Sequence, residues 1–151
     1  MTQTGGNGVP AGNHLRGRMK HAALVIGAVL FTAVWMFAGE VPLIADPVVA
    51  PASGTVNYQR QGDQTRLNIK VTGLKPASQL KPSGRKAYVV WLQQSNKHWR
   101  NIGVLQLNGK QATLATTVPT GNMFVLVTAE NNAHGDNPSG PKVMQATLLG
   151  Q

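Results

Sequence analysis

Cysteine is absent from all 151 residues, which excludes a disulfide framework and any thiolate metal site. Small secreted eukaryotic domains commonly lean on such bridges, so a bacterial envelope setting fits the absence better. Acidic residues are scarce: five Asp and Glu face fourteen Lys and Arg, for a net charge of +9. So few carboxylates leave little material for general acid–base chemistry. His14, His21, His98 and His134 make no ligand-spaced pair, and the nearest approach to a site, His134-Gly135-Asp136, reads as turn chemistry in a polar loop. A phosphate loop and a G-x-S-x-G elbow are also missing. No enzyme, cofactor, metal or small-molecule substrate is expected. Aromatics make up only 5% of the chain, and no tight basic run is interleaved with them, so nucleic acid is not an expected partner.

What is present begins with a long apolar run. Residues 22–39 read AALVIGAVLFTAVWMFAG, 18 residues without a charge and with Thr32 as the one polar side chain. That length matches the roughly 17–25 residues needed to cross a bilayer, and Trp35 suits the outer interface. Arg16, Arg18 and Lys20 precede it closely, whereas Glu40 and Asp46 come before the next cation, Arg60. The positive-inside rule therefore predicts a cytoplasmic N-terminus, one transmembrane helix over 22–39 and an extracytoplasmic remainder in the plasma membrane. A cleaved signal peptide is the competing reading. Met36-Phe37-Ala38 and Leu43-Ile44-Ala45 are poor cleavage sites because each starts with a bulky residue, and the run exceeds a typical signal core.

Residues 1–21 are polar and basic and are expected to form a disordered tail. Residues 40–53 carry Pro42, Pro47 and Pro51, which predicts an extended stalk. From residue 54 to 151 the chain reads as one β-domain. Leu67, Ile69 and Val71 alternate with Arg66, Asn68 and Lys70, the mark of a half-buried strand. Similar runs cover 55–60, 87–94, 99–107, 111–118, 123–130 and 143–149, with Asn108-Gly109 a hairpin turn. About seven short strands predict an all-β, immunoglobulin-like antiparallel β-sandwich, with a small barrel as the alternative. Tyr88, Val90 and Leu92 should face the core, as should Val125, Val127 and Ala129. By parity Val89, Trp91, Phe124 and Leu126 then face outward. They form either an interaction patch or a surface covered by the loop 73–86.

Several stretches, in order, resemble the extracytoplasmic C-terminal domain of the anti-sigma-K factor family. Tyr88-Val89-Val90-Trp91-Leu92 is similar to its Y-x-x-W-L strand, and Asn101-Ile102-Gly103-Val104-Leu105 to its glycine-containing strand. Val127-Thr128-Ala129-Glu130 followed by Pro138-Ser139-Gly140-Pro141 is similar to its V-T-x-E…P-S/T-G-P ending. The motifs span residues 88–141. The resemblance implies a β-sandwich behind a single membrane helix, with Tyr88, Trp91, Leu92, Gly103, Glu130, Pro138, Gly140 and Pro141 in structural roles. Sigma-factor binding does not carry over, because only about 20 residues precede the apolar run and they are too polar to fold.

Two function classes follow. One is a membrane-anchored regulatory or sensory protein whose outer domain holds a protein partner. The other is a basic module for anionic envelope polymers or for protein interaction unrelated to sigma-factor control, driven by the positive charge.

Overall fold

The computed structural model describes residues 36–81 and 84–150. The expected tail over 1–21, and the expected membrane helix as far as residue 35, lie outside the described residues. Among the described residues no helix is long and apolar enough to cross a membrane.

The described chain is all-β and antiparallel. Its strands are β1 (Met36–Ala45), β2 (Ser53–Gln61), β3 (Gln64–Thr72), β4 (Ala87–Gln93), β5 (Trp99–Val104), β6 (Gln106–Asn108), β7 (Gln111–Pro119), β8 (Met123–Glu130) and β9 (Lys142–Leu148). They join in the order β5-β4-β8-β9-β1-β2-β3-β7-β6. Two strands turn corners. β1 pairs with β2 through Leu43 and then with β9 at Ile44 and Ala45. β5 runs into β6 through Leu105 alone, one pairing with β4 and the other with β7. Both ends of the sheet therefore belong to one bent stretch, and the sheet curls into a near-barrel.

Two sequence expectations are corrected here. The sheet has nine strands rather than about seven, because the expected strand over 99–107 breaks at Leu105 and β1 is additional. The stalk over 40–53 does not exist as such. β1 takes in Met36–Gly39, the last four residues of the apolar run, and continues through Pro42. The stalk's remainder is a 3₁₀ turn over Pro47–Val49, started by the Asp46 side chain, and the first residue of β2. Pro42 is tolerated because β1 is paired on one side only at that point.

The core parities follow the alternation. Leu67, Ile69 and Val71 point inward on β3. Tyr88, Val90 and Leu92 do so on β4, and Met123, Val125, Val127 and Ala129 on β8. Val49 and Ala52 pack against this core at one end. So do Leu74, Ala77 and Leu80 from the connection containing the 3₁₀ turn Ala77–Gln79. Their three-residue spacing puts them on one face of a tight turn. Tyr88 ties that connection down: its hydroxyl donates to the Lys75 carbonyl at 2.7 Å, and burial pushes its pKa up to about 12.

Candidate functional site

The apolar patch expected at Val89, Trp91, Phe124 and Leu126 is not an exposed surface. Val89 and Trp91 are 0% exposed. Phe124 and Leu126 are half-buried, and Phe124 lies against Trp99 with ring centroids 5.9 Å apart. The polar loop 131–141 lies over Trp91, with Gly135 close enough that a side chain there would touch the ring at 3.7 Å. β4 is thus buried on both faces, with the barrel core inside and this loop over Trp91 outside.

A buried polar chain holds the loop in place. Trp91 and Thr128 are diagonal neighbours across the β4–β8 pair, and the indole N–H of Trp91 donates to Thr128 Oγ1 at 2.8 Å. That hydroxyl in turn donates to Glu130 Oε1 at 2.5 Å. Glu130 Oε1 also accepts the backbone N–H groups of Ser139 and Gly140, each at 2.9 Å. Glu130 Oε2 accepts the Ser139 hydroxyl at 2.6 Å. Successive backbone N–H groups pointing at one carboxylate form an anion nest, supplied here from within the chain.

Glu130 is 2% exposed. Burial alone would raise its pKa, but the hydrogen bonds from the Ser139 and Thr128 hydroxyls and the Gly140 and Ser139 N–H groups outweigh it. The carboxyl is held below its ordinary range. The backbone closes the arrangement, with the Ala129 N–H donating to the Pro141 carbonyl at 3.0 Å and that of Lys86 to the Glu130 carbonyl at 2.8 Å.

Gly140 is required at its position by space. A Cβ there would lie 1.8 Å from the Ala129 carbonyl oxygen, far inside contact distance. Gly103 meets a different demand. Val90 pairs with Gly103 and Trp91 with Asn101, so Ile102 is the extra residue of a bulge. Gly103 has φ 139°, a conformation that side-chain-bearing residues rarely adopt.

The motif residues thus divide. Trp91, Glu130, Pro138, Gly140 and Pro141 gather on the outer side of β4 and β8, while Tyr88 and Leu92 face the core and Gly103 shapes the neighbouring bulge. Two participants were missed in the sequence. Thr128 shares parity with Glu130, a pair of polar residues on the outer face of an apolar strand, which is a usable signal. Asn101 holds the bulge through Gly103 N–H to Oδ1 at 3.1 Å and reaches the loop through Nδ2 to the Ala133 carbonyl at 2.9 Å. Only its place two residues before a strand glycine hinted at that.

Among the described residues no group of three or more His, Cys, Asp or Glu is placed to hold a metal ion. Open clefts lie elsewhere, two near the turns 94–98 and 120–122 and two at the end of the barrel where the 73–86 connection packs. Of the latter, one of about 280 Å³ is lined by Val48, Val49, Leu80, Lys75 and Lys81. Another of about 290 Å³ is lined by Leu105, Leu107 and Lys86. Comparison of the chain with protein-family models, curated proteins and solved structures finds no match.

Proposed function

We propose that the chain is a membrane-anchored, non-enzymatic regulatory or sensory protein whose β-domain lies outside the cytoplasm and holds a protein partner. The observation that carries this reading is the occupation of Glu130. It is the most enclosed acid of the described chain, and both of its oxygens already accept hydrogen bonds from the loop and from Thr128. Its chemistry is directed at holding the domain together, which suits a scaffold and leaves no free general base there. The resemblance to the anti-sigma-K factor outer domain supports the same role, since five of its motif residues surround this network. The tail over 1–21 has too little apolar content to sequester a sigma factor, so a regulatory role runs through the outer domain, the membrane helix or a second protein.

The apolar run and its preceding Arg16, Arg18 and Lys20 support membrane insertion. One observation favours a second reading of that run. β1 claims Met36–Gly39, which leaves 14 uncharged residues, 22–35, before the domain. A helix of that length rises about 21 Å against a hydrocarbon core of about 30 Å. An anchor then draws on the aliphatic stems of the basic residues before it, whereas an export signal needs no more than this core length.

Alkaline extraction of membranes, the intact mass of the chain, and protease added to right-side-out vesicles together decide the matter. A full-length, alkali-resistant chain whose β-domain is trimmed from outside is the expected result. A shortened, soluble domain outside the cytoplasm would establish the export signal instead. Protection of the β-domain from external protease would refute both.

A further inference from the structure

The two ends of the barrel differ in charge. At the end where β1 finishes lie the segments 46–52, 73–86, 109–110 and 131–141, joined by contacts such as the Gly73 N–H to the Lys110 carbonyl at 2.8 Å. These segments and the first residue of β9 carry Lys75, Lys81, Arg85, Lys86, Lys110 and Lys142. The acids there are Asp46, Asp136 and the buried Glu130, whose neutral hydrogen-bond donors leave its charge in place. Six cations against three anions leave +3. At the opposite end, where the chain enters at Met36, the turns 62–63, 94–98 and 120–122 carry Lys97 against Asp63 and sum to zero. Six of the eleven basic residues beyond position 54 thus cluster at one end.

That end also carries open apolar surface. The 3₁₀ turn Ala77–Gln79 borders both clefts described above. In the first, Val48 is 42% exposed beside Lys75 and Lys81. In the second, Leu107 is 37% exposed on the cleft that Lys86 lines. Each cleft therefore offers an aliphatic wall and at least one ammonium group. A plain polyanion would satisfy the lysines and leave the walls wet. A segment in which acidic and aliphatic side chains alternate satisfies both, through charge complementarity and apolar burial.

We propose that the loop end of the domain is the docking surface for an acidic, aliphatic-containing peptide segment of a partner protein, seated in the clefts on either side of Ala77–Gln79. The proposal rests on the reading that the domain holds a protein partner, and it names the surface and the chemistry of what is held.

The test uses the full chain in phosphatidylcholine nanodiscs and two fluorescent dodecapeptides of equal charge, one alternating Glu and Val, the other alternating Glu and Gly. The Glu-Val peptide should bind at least about tenfold tighter, a gain of about 1.4 kcal/mol. The double variant K75E/K81E should weaken it by about tenfold or more. The charge-matched R66E/K97E, away from the loop end, should leave it within about twofold. Val48→Ser, which removes exposed aliphatic surface without touching charge, should narrow the gap between the peptides and so serves even if K75E/K81E folds poorly. Equal affinity for the two peptides would overturn the proposal, as would indifference to both cleft variants. Tighter binding of polyphosphate or of anionic vesicles would overturn it in favour of a polymer or a lipid surface. The titration is independent of topology, so the vesicle protease result can fail while this one succeeds, and the reverse.

Discussion

Replacing Glu130 by Gln keeps the shape of the side chain and removes its charge. In the native domain the carboxylate accepts four hydrogen bonds, from the Thr128 and Ser139 hydroxyls and the Ser139 and Gly140 N–H groups. A hydrogen bond to a charged group contributes about 1.5–3 kcal/mol, and a neutral one about 0.5–1.5. Weakening three or four of them by somewhat under 1 kcal/mol each gives a loss of about 3 kcal/mol, a large share of the 5–15 typical of a domain. The effect depends on pH in a defined direction. The folded carboxyl titrates below its ordinary value of 4.5, so its contribution is fully present above that value. As pH falls the unfolded chain takes up the proton first, and the contribution is lost progressively as pH falls through the folded value. Urea unfolding followed by tryptophan fluorescence, at pH 7 and near pH 3, reads both effects. E130Q should unfold at lower urea at pH 7, and the gap from the native chain should narrow in acid. A difference under about 0.5 kcal/mol at pH 7, smaller than the loss of even one charge-assisted bond, would refute the reasoning. So would a gap that stays constant down to pH 3.

Four further outcomes are expected. Gly140→Ala should destabilise the domain by several kcal/mol, since its Cβ meets the Ala129 carbonyl oxygen at 1.8 Å; an unchanged thermal melt would show that the loop does not need this close approach. Val90→Asp and Val127→Asp each place a charge at a fully enclosed position and should cost an amount comparable to the whole stability, read as loss of the cooperative melt. In a Tyr58→Phe background, the ultraviolet titration of Tyr88 should centre near pH 12, and a midpoint near 10 would show its ring to be solvated. A peptide of residues 1–21, at tens of micromolar, should show no saturable binding to sigma factors from the same cell; binding abolished by changing Leu15 and Met19 to Asp would refute that expectation.

Much of the β-domain was legible because strand parity is local. Side chains alternate with a period of two, so Leu67, Ile69 and Val71, and likewise Val125, Val127 and Ala129, declared their inward faces without reference to any partner strand. The same logic correctly turned Val89 and Trp91 outward but said nothing about what lies over them. β1 escaped for a related reason. Met36–Ala45 combines the end of an apolar run with Gly39 and Pro42, residues that argue against a strand taken alone. Its strand conformation comes from register with β2, from Met36 opposite Gln61 to Leu43 opposite Gly54, with the Tyr58 ring packed over Gly39.

The bend at Leu105 and the switch of β1 from β2 to β9 are likewise properties of pairing between distant segments. The loop 131–141 shows the limit most clearly. Its sequence is polar and without period, so nothing local distinguishes it from a solvated connection. Its position is set by hydrogen bonds to a carboxylate nine and ten residues away and by an asparagine on another strand. Alternation and composition determined which residues are strand and which face is core. The curl of the sheet into a near-barrel, burial of Trp91 and the gathering of six cations at one end were decided only when the chain folded back on itself, because each depends on contacts that the linear sequence leaves open.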